Sequence, residues 1–264
     1  MAPKTLPRLQ KSTLTRQFSN RNKLWESDLR KIHFYPSDPL PAGELFVIGT
    51  IHRVPELKAY LERLLFQISP RLISVEISPY SLKLRKKRKD LWRRRLEELS
   101  KSLTLEKSPV LEGLERIIEF PYEVSAAFKV AQRLKIKVLP LDISSIARKH
   151  LAQFESLLTP EGIKEILRAP PPSLEKEFAF ARLTLKNNLS PPVSPEDLFR
   201  EEVMAQRLKR LVKRYKPLVH VGGWGHLQGL GQRLPEARLI FLDAPSALFK
   251  SRDPQKYQEC LLSS

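Results

Sequence analysis

Short apolar runs alternate with stretches of helical periodicity along this chain, and that alternation limits it to one fold class. The runs are Leu45–Ile48, Arg71–Ile77, Ile136–Leu141, Leu218–Val221 and Arg238–Leu242. Each is too short for a helix of ordinary length and reads as a strand. Between the first two, Leu57, Leu61, Leu64, Leu65 and Ile68 recur at helical spacing. Before the third, Val124, Ala127, Val130, Ala131 and Leu134 do the same, behind Pro121 in the first turn. Strands joined through helices pair in parallel, because a parallel neighbour needs a long crossover. The expectation is an α/β protein with a central, mostly parallel sheet and helices on its faces. Pro140 lacks a backbone donor, which places its strand near an edge or at a bulge. A helix is expected over about 81–100, and residues 101–120 show no clear pattern. Helices from 142 to 186 are broken at Pro160 and at Pro170–Pro172. Ser194-Pro195-Glu196-Asp197 is a strong helix start, with a capping Ser, Pro at the first position and acids in the first turn.

Residues 1–42 read as a basic tail and Pro-containing lead-in, and residues 43–264 as a single domain. The tail has no apolar core of the kind a secretory signal needs, and no apolar run approaches the ~20 residues that cross a bilayer. A single cysteine, Cys260, allows neither an internal disulfide nor a Cys-based zinc site, which fits the reducing cytoplasm. The net charge of +18 draws phosphates, acidic surfaces and acidic peptides. Much of it lies in Lys83–Arg95, KLRKKRKDLWRRR, on the expected helix. That run reads either as a solvated helix face or as a nucleic-acid patch with Trp92 interleaved.

The chemistry-bearing residues follow the strands. Gly49-Thr50-Ile51-His52 follows the first, and Gly223-Trp224-Gly225-His226 the fourth. With nine glycines and five histidines in the chain, two such pairings arise by chance in roughly one sequence in a hundred. Glu76 ends the second strand, Asp142 the third and Asp243 the fifth. In open α/β sheets ligands bind outside the carboxyl ends of the strands, so these side chains have a geometric reason to meet. Gly49 and Gly223 would let the backbone turn and approach a ligand closely. Glu76 stands among Leu72, Ile73, Val75 and Ile77, where an acid must be paired or coordinating. Glu123 continues the apolar stripe of its helix, and either answers the helix dipole or faces the site. Asp142 and Asp243 also suit helix capping. His220, inside the fourth strand, reads as core. Two histidines with two or three carboxylates form a ligand set for a divalent metal such as zinc or manganese.

In order along the chain, Gly49-Thr50-Ile51-His52, Val75-Glu76-Ile77, Glu123 with its Ala-rich helix, Leu139-Pro140-Leu141-Asp142, Arg200-Glu201-x-x-Met204 and Val221-Gly222-Gly223-Trp224-Gly225-His226-Leu227 resemble the TraB/Tiki superfamily, also described as erythromycin-esterase/ChaN-like. The likeness spans about Glu44 to Asp243. It implies an α/β fold and, as in the Tiki branch, metal-dependent peptidase activity with manganese or cobalt. Some relatives are linked instead to peptide-pheromone shutdown, haem binding or antibiotic ester hydrolysis, so the family alone does not fix the reaction. Some carry Asn or Asp where this chain has Glu201, and the membrane segments of some have no counterpart here.

The leading expectation is therefore a metal-dependent hydrolase acting on peptide bonds. His52 and His226 would bind the metal, with Glu123 or Asp142 completing the shell. Glu76 would serve as general base or further ligand. Arg200, beside Glu201, would stabilise developing charge or hold a substrate carboxylate. The competing readings are a non-catalytic binding protein for a peptide, haem or anionic ligand, and nucleic-acid binding through Lys83–Arg95. Partners compatible with these readings are a peptide or small-molecule substrate, an acidic partner or nucleic acid, and a second copy of the chain in a homodimer.

Overall fold

A computed structural model describes residues 31–105, 109–168, 173–189, 191 and 193–245. The basic tail, Pro170–Pro172 and Cys260 lie outside the described residues. The fold is α/β. Six strands form one sheet in the order β1-β6-β2-β5-β3-β4, and every neighbouring pair is parallel. The strands are β1 (Ile32–Tyr35), β2 (Leu45–Thr50), β3 (Leu72–Val75), β4 (Lys137–Pro140), β5 (Leu218–Gly223) and β6 (Arg238–Leu242). The strand β1 falls inside the stretch that the sequence pattern counts with the lead-in. It pairs only with β6 and leaves two of its four residues half-buried, so it carries little apolar signal of its own. Pro140 lies on β4 at the opposite edge, where its missing donor costs no ladder bond.

The central strands β2 and β5 are buried along their whole length, as expected where helices cover both faces of a parallel sheet. After β2, α1 (Lys58–Ile68) leads towards β3 and packs on α4 (Tyr122–Leu134). After β5, α9 (Leu227–Arg233) leads back towards β6 and packs on α8 (Pro195–Val212). The two crossovers leave neighbouring strands in opposite directions, so right-handed connections put α1 and α9 on opposite faces and open a crevice between the ends of β2 and β5.

A second apolar cluster stands apart from the sheet. It joins α2 (Pro79–Ser102), α3 (Pro109–Ile118), α5 (Ser144–Leu157) and α6 (Pro160–Arg168). Trp92 is buried there, edge-on to Phe154 at 5.4 Å, and its indole N–H donates to Glu155 Oε1 at 3.0 Å. This accounts for part of the basic run. Arg88 pairs with Glu155, and Lys89 and Arg93 with Glu119. Arg85 donates to the carbonyls of Ile117, Ile118 and Glu119, at the end of α3. Arg95 donates to the Leu158 carbonyl at 3.3 Å. Several cations of α2 thus tie it to its neighbours, and its tryptophan is not presented for stacking. The helix α7 (Leu174–Lys186) follows on the main core through Phe178, Ala181 and Leu185. Among the described residues no helix is long and apolar enough to cross a membrane.

Trp92→Ala is expected to cost about 3–5 kcal/mol, the range for an emptied aromatic core position. Urea unfolding followed by circular dichroism measures it; a loss below 1 kcal/mol would mean that the satellite does not depend on this ring.

Candidate functional site

The sheet register brings the two Gly-x-x-His turns together. Gly49 pairs with Gly222 and Thr50 with Gly223 across β2 and β5. Each motif glycine then faces the other turn. A Cβ on Gly49 would lie 3.0 Å from the Cα of Trp224, and one on Gly223 would lie 2.8 Å from His52 Nε2. None of the described glycines has a positive φ. These two are required by close approach, not by backbone conformation.

His52 projects from the end of β2 with about half of its side chain exposed. Its Nδ1–H donates to Glu123 Oε1 at 2.6 Å. Glu123 is buried in the first turn of α4, and Thr50 Oγ1 also lies 3.1 Å from that oxygen. Burial works against charge on His52, but Glu123, with help from Glu76, overrides it and raises the imidazole from 6.5 to about 8. Its Nε2 lies against Gly223 and makes no hydrogen bond among the described residues.

His226 is held on both nitrogens. Glu201 Oε1 lies 3.2 Å from Nδ1, and Glu76 Oε1 lies 3.3 Å from Nε2. Burial again opposes the charge, yet the two carboxylates push the group up to about 10 despite Arg200. The carboxylates favour a proton on His226: Nδ1 faces Glu201 Oε1, while Nε2 lies 3.3 Å from both Glu76 Oε1 and Arg200 Nη1. Glu201 is almost wholly buried and also accepts from Arg233 at 2.9 Å. It fits only because residue 229 has no side chain: a Cβ there would lie 2.0 Å from Glu201 Oε2.

Arg200, on α8, is the hub. Nη2 donates to Glu76 Oε1 at 2.6 Å, Nε to Asp142 Oδ1 at 2.9 Å and Nη1 to Asp197 Oδ1 at 3.2 Å. Burial opposes its charge, but Glu76 and Asp142 raise its affinity for the proton further. Glu76 accepts on its other oxygen from the Gly223 N–H at 2.7 Å. Despite its burial, His226 and Arg200 hold its carboxyl well below the usual carboxylate range. Asp197 accepts from Ser194 in the capping box that starts α8 and from Arg200 in the site, so one residue serves both.

His220 is fully buried beneath this cluster. Its Nδ1–H donates to Ser74 Oγ at 3.1 Å, and burial pulls it down to about 4, so it stays neutral. Asp243, which the strand-end rule groups with the others, instead pairs with Arg182 of α7 at 2.8 Å. Its strand lies on the β1 side of β2, away from β3 and β4. His52, Glu76, Asp142 and Arg200 line a cleft of about 450 Å³. Arg85 of α2, Arg116, Ile117 and the 119–122 segment form its outer wall. Arg53 and Tyr122 join the site without any motif that marks them in the sequence, and Asp197 is marked there only as part of a helix start.

These side chains, as placed, do not fit a divalent metal. Among the described residues no three acidic or histidine groups are spaced to hold one. His226 has Glu201 on Nδ1 and both Glu76 and Arg200 on Nε2, and both oxygens of Glu76 are engaged. The positive charge that a metal would bring beside Glu76 and Asp142 is already supplied by Arg200. Comparison with known proteins gives no match: no family model, curated protein or solved structure matches this chain.

The raised value of His226 has a sign. Its proton stabilises the fold fully below pH 6.5, and that contribution is lost as pH climbs through 10. Urea midpoints should therefore fall between pH 7 and pH 10, and fall less in His226→Gln. An equal decline in both proteins would show that His226 is not held charged.

Proposed function

We propose that this chain is a hydrolase of amide or ester bonds, with His52 as general base and Glu123 as the group that orients it. The observation that carries the proposal is the 2.6 Å bond from His52 Nδ1 to the buried Glu123, which leaves Nε2 without a hydrogen bond among the described residues in a side chain that lines the cleft. Among the clustered ionisable groups around Arg200, His226, Glu76 and Asp142 are fixed by mutual bonds. His52 combines a half-exposed side chain, whose Nε2 makes no hydrogen bond among the described residues, with an affinity near neutral pH.

In this reading His52 Nε2 takes a proton from water as the oxygen attacks the carbonyl carbon. Glu123 fixes the tautomer and stabilises the imidazolium that forms. The imidazolium then returns its proton to the leaving nitrogen or oxygen as the bond to carbon breaks, which yields a carboxylic acid and an amine or alcohol. Arg200, Glu76 and His226 are positioning residues: Glu76 anchors the Gly223 backbone against which His52 lies. Peptides are the substrate that the TraB/Tiki likeness favours. No step is assigned to a metal, because the donor set does not fit one.

Activity needs neutral His52, so the rate is expected to rise about tenfold from pH 7 to pH 9, with the apparent pKa near 8. The assay is release of 4-nitrophenol from its esters and of a fluorescent amine from short peptide amides. His52→Ala should lose about 100-fold or more. Glu123→Gln should lose activity and shift the profile to lower pH. A chelator should leave the rate unchanged. Unchanged turnover in His52→Ala would sink the proposal, and loss on chelation with recovery on adding manganese would replace it with the metal-dependent reading.

A further inference from the structure

We propose that Arg53 forms a recognition site for an oxyanion on the substrate, a carboxylate or a phosphate, at the outer wall of the cleft beside His52. This deepens the hydrolase reading and rests on it for the word substrate; binding of the anion does not.

The first ground is conformational. Arg53 has φ 66°, in the left-handed region that side chains other than glycine rarely adopt. Such a conformation persists only where its surroundings impose it. The imposing contacts are visible. Tyr122 Oη donates to the Ile51 carbonyl at 3.3 Å, and Arg116 Nη1 donates to the Arg53 carbonyl at 3.2 Å. Both carbonyls that flank His52 are thus pinned from the α3–α4 side. The same turn that points His52 into the cleft makes Arg53 line it.

The second ground is charge. The other cations of the cleft wall have close acceptors. Arg200 faces Glu76, Asp142 and Asp197. Arg85 is spent on three carbonyls at the end of α3. Arg116 holds the Arg53 carbonyl and lies 4.0 Å from Glu112. Of the wall's acids, Glu119 is taken by Lys89 and Arg93, and Glu115 is exposed with no cation within 4.0 Å among the described residues. Among the described residues no carboxylate lies within 4.0 Å of the exposed Arg53 guanidinium; Glu177 of α7 acts on it only from farther away. Its planar fork suits a carboxylate or phosphate, to which it can donate two parallel bonds. The small cleft of about 450 Å³ suits a compact ligand. The substrate class is therefore a small ester or amide that carries an anionic group close to its scissile carbonyl.

The test uses the full chain at pH 7 and constant ionic strength. Calorimetric titration with succinate, with inorganic phosphate and with neutral succinamide reads binding without turnover. One of the two anions is expected to bind saturably, and succinamide is not. Arg53→Ala should weaken the anion at least tenfold. Arg53→Gly relieves the left-handed backbone and keeps the fold, and should weaken it equally; Lys213→Ala, outside the cleft, should not. Success with succinate alone assigns a carboxylate, and success with phosphate alone assigns a phosphate. Absence of anion binding in the wild type, or full binding in Arg53→Gly, overturns the site. Kinetics separate the two proposals. If 4-nitrophenyl hydrogen succinate and its neutral methyl ester show equal KM, the subsite falls and the hydrolase stands. If the anion binds through Arg53 and no ester or amide is cleaved, the hydrolase falls and the subsite stands.

Discussion

The contact between Arg200 and Glu76 is the one on which the site's geometry depends. It joins the end of β3 to α8 across 124 positions of the sequence, and both partners are largely removed from water. Two opposite charges in such a place are stable only together; removal of one leaves the other buried and unpaired, typically at 3–5 kcal/mol. The remaining partners follow from that need. Asp142 comes from the end of β4 and Asp197 from the first turn of α8. His226 closes the cluster from the turn after β5. The sheet edge is thereby tied to the helical layer by charge at one point, in addition to apolar packing elsewhere.

The second constraint is spatial. The turns after β2 and β5 lie closer together than ordinary side chains permit. Gly49 accommodates the Trp224 backbone, and Gly223 accommodates the His52 ring. Gly222 does the same for Glu76, whose Oε2 would lie 2.6 Å from a Cβ at that position. Three glycines on two adjacent strands therefore set how near His52, Glu76 and His226 can come. Glycines in strands usually weaken them, but here full burial of β2 and β5 offsets that cost.

Much of this arrangement is legible in the sequence, for physical reasons. Central strands are buried on both faces and read as continuous apolar runs, so β2, β5 and β6 emerge clearly. The edge strand β1 does not, because only part of it is buried. The strand-end rule brings His52, Glu76, Asp142 and His226 together, since position at a strand's carboxyl end follows from chain order. It fails for Asp243 because strand order in the sheet is not written in any local pattern: β6 is sorted to the β1 side of β2. Pairing is likewise invisible. Glu123 fits a helix-dipole role or a site role equally well until its distance to His52 is known. Arg53 carries no signal at all, because its role depends on a backbone angle imposed by Tyr122 and Arg116 from a distant segment.

The pattern of pairing also divides the charged groups into two kinds. Arg200, His226, Glu76 and Glu201 are locked by mutual bonds, and the histidines of the two Gly-x-x-His turns, His52 and His226, are driven apart. His226 answers to two carboxylates and rises to about 10; His52 answers chiefly to one and, half exposed, stops near 8. Identical side chains in near-identical motifs therefore do different work. One completes a fixed electrostatic frame, and the other is left to exchange its proton with whatever enters the cleft. The asymmetry comes from Glu201 and Glu123, neither of which belongs to a Gly-x-x-His turn, so the chemistry of the paired motifs is decided by the helices packed behind them.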